Sequence, residues 1–172
     1  MNYSRFVAWL VAIVWFAWAA AVDTQTRTAW VTSAWIPDVG VVLFVAWAVR
    51  IDVRHLLMLA LLAALARASF SVEPPVSILA AHIAAALLIG LGRQSFDLSR
   101  PFARALVAAT VTNLWAYWSW LVLIARHGEG AAPSSGALIA AALGTGLLAL
   151  FFGGWLAKLP GVGALGGRSF AR

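Results

Sequence analysis

The chain has 172 residues, of which 63% are apolar and only 10% charged, with a mean hydropathy of +0.92, whereas soluble domains are about half apolar and a quarter charged. That composition excludes a soluble domain as the main body, and with no polar block left for a second unit it implies one membrane domain over residues 1–172. A net charge of +6 and a pI near 11.4 would suggest nucleic acid in a soluble protein, but here the basic residues stand singly at the edges of apolar segments, which points to lipid headgroups and membrane orientation and not to nucleic acid.

The absence of cysteine rules out a disulfide framework, a thiolate metal site and a cysteine nucleophile. Apolar runs between charged or Pro/Gly breaks predict six segments: 6–22, 35–49, 56–72, 76–91, 102–125 and 137–157. Long Ala/Leu/Val runs without alternation fit helices and not the strands of a barrel. The fold class expected is therefore all-α, a bundle of six transmembrane helices.

The first run follows Arg5 and ends in Ala19, Ala20 and Ala21, so a cleaved signal peptide is one reading; we take it as the first span. The second is short for a crossing, which needs ~20 residues for a ~30 Å core. It would thin the bilayer, tilt little, or lie between neighbours and pair with the third segment as a hairpin. It opens on Pro37 and Asp38, where proline suits a first helical turn and a carboxylate complements the helix dipole. A contact with a partner or ligand at that rim is the competing reading.

Arg67, near the end of the third segment, is expected to snorkel, in reach of Glu73. His82 lies inside the fourth, where a polar side chain is a functional candidate by default. No second His, Asp, Glu or Cys accompanies it there, so a hydrogen bond across helices to Asn113 of the fifth segment, flanked by Thr110 and Thr112, is the expected role. In the sixth segment Gly136, Ala140 and Gly144, and again Thr145, Ala149 and Gly153, recur every four residues, which permits close helix approach inside the bundle or along a partner helix.

Lys and Arg fall nine to three on alternate sides: Arg5, Arg50, Arg54, Arg93, Arg100, Arg104, Lys158, Arg168 and Arg172 against Arg27, Arg67 and Arg126. By the positive-inside rule this predicts both termini in the cytoplasm, with cytoplasmic turns at 50–55 and 92–101. The ten tryptophans mostly agree: Trp15, Trp18, Trp30, Trp35, Trp118 and Trp120 fall toward the outer ends, Trp47 and Trp155 toward the inner ends, Trp115 lies deeper and Trp9 is ambiguous. Residues 128–136 and the tail after Leu159 are expected to be flexible.

The six acids, Asp23, Asp38, Asp52, Glu73, Asp97 and Glu129, are scattered, and no two are expected to share a face. A Gly-rich phosphate loop, HExxH, GxSxG and a Ser–His–acid set are all missing. No catalytic residue, metal site or cofactor site is expected, and no enzymatic activity. The residues singled out as candidate partner or packing contacts are Pro37, Asp38, Arg50, Arg54, His82, Arg93, Arg100, Asn113, Gly144 and Gly153.

One stretch carries a family resemblance. Ile36-Pro37-Asp38-Val39 running to Trp47 and Arg50, a short turn, the apolar stretch 56–65, the polar break 69–75, the span 78–91 and the basic linker 92–104 together resemble the MreD family, the small multi-span subunit of the bacterial rod-shape elongation machinery. The resemblance covers 35–120. The chain departs from the family's Gly-rich third span with its acid before a Leu-Gly pair, having Arg67 within 63–68 and Pro74-Pro75-Val76 after it.

The resemblance implies a non-enzymatic scaffold in the bacterial inner membrane that joins an MreC-like membrane partner and an MreB-like filament to cell-wall synthases. It also implies a fold similar to the six-helix substrate-binding components of energy-coupling-factor transporters. A substrate-binding subunit for a small, vitamin-like solute is the alternative, with an outward pocket near 30–35 and 70–75.

Overall fold

Local chemistry marks where each helix starts. Asp38, Asp52 and Ser134 accept hydrogen bonds at helix N-termini from the N–H groups of Val41, Arg54 and Ala137, and Pro75 and Pro101 occupy first helical positions where their missing N–H is no loss. The computed structural model describes residues 5–29, 36–128 and 134–166. Its elements are α1 (Arg5–Ala29), α2 (Val39–Ala48), α3 (Val53–Ala68), α4 (Pro75–Ser95), α5 (Pro101–His127), α6 (Ser135–Leu156) and α7 (Val162–Leu165). Among the described residues the only β feature is an isolated bridge between Ile51 and Gly166.

Four helices, α1, α4, α5 and α6, are long and apolar enough to cross a membrane. The other two of the six expected segments fall short: α2, with 10 residues, is ~15 Å long and α3, with 16, ~24 Å at ~1.5 Å per residue, against a ~30 Å core. The second segment contracts from 35–49 because Pro37 lies ahead of the Asp38 cap, outside the helix; Trp35 is outside the described residues.

α2 is the centre of the bundle. It touches α1, α3, α4, α5 and α6, while α5 pairs with α6 and α3 with α4. Every residue from Val41 to Ala48 is at most 1% exposed, the burial expected of a helix apolar on all sides. Its N-terminus sits half-way along α6, where the Asp38 N–H meets the Thr145 hydroxyl at 3.0 Å, and it runs from there toward one end of the bundle. At that end Ile51 lies against Gly166, Arg93 reaches the Ile51 carbonyl, Arg104 covers Gly153 and Gly161 abuts Ala8. α2 is a half-helix.

The tryptophans divide. Trp18 and Trp155 lie exposed on the outside, and Trp118 is exposed with its Nε1–H on Ser77 Oγ at 2.8 Å. Trp47, expected near an interface, is instead wholly buried because the helix that carries it is surrounded. Trp30 and Trp35 fall outside the described residues.

The tail after Leu159 also departs from expectation. Up to Gly166 it is packed: Leu159, Val162 and Leu165 are buried, and the Asp52 N–H donates to the Leu165 carbonyl at 3.1 Å. Gly161 makes the return possible, with φ of 100° and room for no side chain, since a Cβ would stand 3.2 Å from the Ala8 carbonyl oxygen. Gly161→Ala is expected to destabilise the fold by about 1–3 kcal/mol, read by unfolding in detergent. Gly163→Ala, where a Cβ meets open space, should leave stability unchanged or slightly raised.

Candidate functional site: a charged cluster at the head of a half-helix

A helix that starts inside a membrane leaves N–H groups with no water to bond. Here carboxylates take them. Asp23 of α1 accepts from the Val39 N–H through Oδ1 at 2.8 Å and from the Gly40 N–H through Oδ2 at 2.9 Å. Asp38 Oδ1 accepts from the Val41 N–H at 2.8 Å, and the Val42 N–H makes the first helical bond, to the Asp38 carbonyl, at 3.1 Å. The Asp38 N–H itself donates to Thr145 Oγ1, whose hydroxyl donates on to the Ala141 carbonyl at 2.8 Å.

Two carboxylates in one place need a cation. Arg67, in the last turn of α3, donates from Nη1 to Asp38 Oδ2 at 2.8 Å, with 30% of the Arg67 side chain exposed and 4% of Asp38. Its guanidinium lies 4.9 Å from the Trp115 ring centroid, a cation–π contact. Asp23 and Asp38 both crowd Gly40, where a Cβ would come within 3.0 Å of one carboxylate and 3.3 Å of the other. The scattered acids thus include a converging pair, contrary to the sequence expectation, because α1 and α2 meet at this depth. Arg67 likewise takes Asp38 as its ion partner and not Glu73, since Asp38 is fixed at the helix head that faces it.

His82 joins the cluster without meeting Asn113. Its Nδ1–H donates to the Ile78 carbonyl one turn back at 2.7 Å, leaving Nε2 the acceptor of the neutral ring. The imidazole packs on Trp115 at 4.2 Å between centroids and edge-on to Phe44 at 5.7 Å. The expected bond to Asn113 is absent because the ring is held on its own helix by Ile78 and Trp115; Asn113 Oδ1 is buried with no partner. Trp115 is tied down in turn, its Nε1–H on the Ala81 carbonyl at 3.2 Å.

A cavity of about 110 Å³ opens beside this group, lined by Asp23, Thr24, Gly40, Arg67, Ser71 and His82 with Phe16, Ala20, Ala63 and Phe70. Among the described residues no three His, Asp or Glu side chains are grouped for a metal ion. No family model matches the chain, and neither a curated protein nor a solved structure matches it.

The remaining sequence candidates lie elsewhere. Pro37 precedes the α2 cap. Arg54 is exposed and Arg50 half-buried; Arg93 Nη1 donates to the Ile51 carbonyl at 2.8 Å. Arg100 pairs with Asp97 at 3.3 Å on an exposed loop, where the Ser99 hydroxyl, followed by the Ser99 N–H, holds the Asp97 carboxyl below its ordinary value. Gly144 is half-buried. The close approach of α5 and α6 occurs at Gly146, where a Cβ would meet the Ala105 carbonyl at 3.3 Å, and at Gly153, beneath Arg104; Gly136 faces open space. Asp23, Arg67 and Trp115 went unselected and Thr145 was singled out only for its small-residue spacing, although Asp23, Asp38 and Arg67, two negative charges and one positive in apolar surroundings, invite pairing.

Removing Arg67 leaves Asp38 and Asp23 without their cation. Arg67→Ala is expected to destabilise the protein by about 3 kcal/mol, the low end for a broken buried pair because Arg67 is partly exposed to the cavity. Thr145→Val, which orphans the Asp38 N–H, should cost about 1–3 kcal/mol. Both are read by reversible unfolding in mixed micelles.

Proposed function

We propose that this protein is a non-enzymatic scaffold subunit of the bacterial inner membrane, resembling the MreD family, that couples an MreC-like membrane partner and an MreB-like filament to peptidoglycan synthesis. The observation that supports this reading most is the commitment of the interior charges to architecture. Asp23 and Asp38 cap α2, Arg67 neutralises Asp38, and Thr145 takes the last N–H. Groups so engaged hold a rigid shape.

In this reading α2 and α3 form a hairpin that completes a six-helix architecture like that of the energy-coupling-factor substrate-binding components, with both termini cytoplasmic. The contacts that gather Arg50, Arg93 and Arg104 at one end of the bundle, away from Arg67 and Arg126, support that orientation. The partner surfaces are then the apolar outer helix faces and the arginine-rich turns.

Binding of a small solute is a second reading, favoured by one observation: the cavity lies at the head of a half-helix at mid-depth, the place where transporters hold substrates and ions. Its volume, about 110 Å³, suits a few waters or a small ion, whereas pockets for drug-sized ligands occupy roughly 300–1,000 Å³. A vitamin-sized ligand does not fit this cavity without rearrangement, whereas a cleft of about 430 Å³ at the expected rim, lined by Val72, Glu73, Pro74 and Trp120, falls within that range.

Depletion of the protein in a rod-shaped host is expected to round the cells, and affinity purification to recover a single-span, MreC-like partner. Unchanged shape on depletion overturns the scaffold reading. A stoichiometric small molecule in the mass spectrum of the purified protein, together with no partner, favours solute binding.

A further inference from the structure

The opposite end of α2 holds a cation with no acceptor. Arg104, in the first turn of α5, is only 4% exposed. It rests on the paired glycines of α6: a Cβ at Gly153 would stand 2.6 Å from its Nε and one at Gly154 3.5 Å from its Nη2. Its Nε is buried with no hydrogen-bond partner. The charged group whose field reaches it is another cation, Arg50. Close by in the fold, Arg93 of α4 gives one N–H to the Ile51 carbonyl, while its Nε and Nη2 are also buried without partners.

The surroundings add positive potential. α5 begins at Pro101 with no side chain capping its N-terminus, so the positive end of its dipole lies at the same level as Arg104. The acids at this end are otherwise engaged. Asp52 caps α3 through the Arg54 N–H and Asp97 pairs with Arg100 on the exposed loop. A guanidinium nitrogen buried without a hydrogen bond, in the field of a second cation, is unfavourable. Nature keeps such a group where an anion completes the site.

We propose that Arg104 binds a phosphoryl group, with Arg50 as the second charge and the glycine pair of α6 making room for the guanidinium. The guanidinium fork matches phosphate oxygens in a bidentate way that an ammonium does not, and the N-terminus of a helix favours the same anion. Arg104 lies at the end of the long helices, at the depth where phospholipid headgroups sit. A headgroup phosphate and free phosphate share this chemistry, and the test separates them.

Native mass spectrometry of the detergent-solubilised protein, incubated with phosphatidylglycerol or with phosphatidylcholine, compares the wild type with Arg104→Gln, Arg104→Lys and Arg54→Gln. Wild type and Arg54→Gln should retain phosphatidylglycerol. Arg104→Gln should lose about tenfold in retention, the loss of one charge-assisted contact, and Arg104→Lys should fall between. In parallel, thermal unfolding with inorganic phosphate reads free-ion binding. A stabilising shift that Arg104→Gln abolishes, with no lipid retained, assigns the site to free phosphate. The proposal is overturned if the wild type neither retains phosphatidylglycerol nor shifts with phosphate. It is overturned equally if Arg104→Gln or Arg104→Lys behaves as wild type in both measurements; Arg104→Lys preserves the charge and keeps the comparison open should the glutamine variant misfold.

Discussion

Everything in the middle of this protein follows from the depth at which α2 begins. A helix starting half-way across a bilayer exposes unbonded N–H groups where hydrocarbon supplies no acceptor, and the chain meets that demand from two other elements and from the helix's own cap. Asp23 on α1 takes two of the N–H groups, Asp38 takes one from its own cap position, and Thr145 on α6 takes the N–H of Asp38. Those bonds fix where α1 and α6 stand relative to α2. The carboxylates then require a cation, which sets α3 by drawing Arg67 to Asp38. Trp115 lies under the guanidinium and His82 on Trp115, which brings in α5 and α4. One polar requirement therefore positions five helices.

Because these contacts are charge-assisted and buried, they are stiff as well as specific. Breaking a single link leaves a charge or a donor stranded in apolar surroundings, so the cluster tolerates little rearrangement. Apolar packing around α2 supplies the bulk of the burial, yet Val, Leu and Ala surfaces slide over one another with little preference for register. The half-helix and its carboxylates choose among the packings that hydrophobicity alone would permit.

Much of this was legible in the sequence, and the part that was not has a physical reason. Apolar runs located the helices, and the cap chemistry of Asp38 was visible from its place before an apolar run. The shortness of the second segment was visible too, including the option that it lies between neighbours, where the structure puts it. Pairing was not legible. Asp23 and Asp38 are separated by residues that a linear reading cannot fold, and Arg67 looked like a rim residue because a lone arginine near a segment end usually snorkels. His82 and Asn113 share a plausible depth, but the azimuth of each helix decides which polar groups meet, and an Ala-rich helix carries little periodic signal from which to read azimuth. The close-packed glycines show the limit in part: spacing every four residues singled out Gly153, which does lie tight against α5, but also Gly144, whereas the second close approach falls at Gly146.

The two ends of α2 differ in a way that bears on where this protein meets its surroundings. At the N-terminal end the carboxylates and the hydroxyl are hydrogen-bonded within the chain, so that region is complete in itself and its small cavity adds little demand for a ligand. At the C-terminal end the balance is reversed: Arg104 and Arg93 bring buried donors with no acceptor, and Arg50 adds charge of the same sign. A protein whose interior charges are paired at one depth and of one sign at another directs its external electrostatics through the positive end. An anion held there would neutralise the base of the bundle as Asp38 neutralises Arg67 at its middle. The arginine turns would then be anchored to the headgroup layer and presented at a fixed height to any partner approaching along the membrane surface.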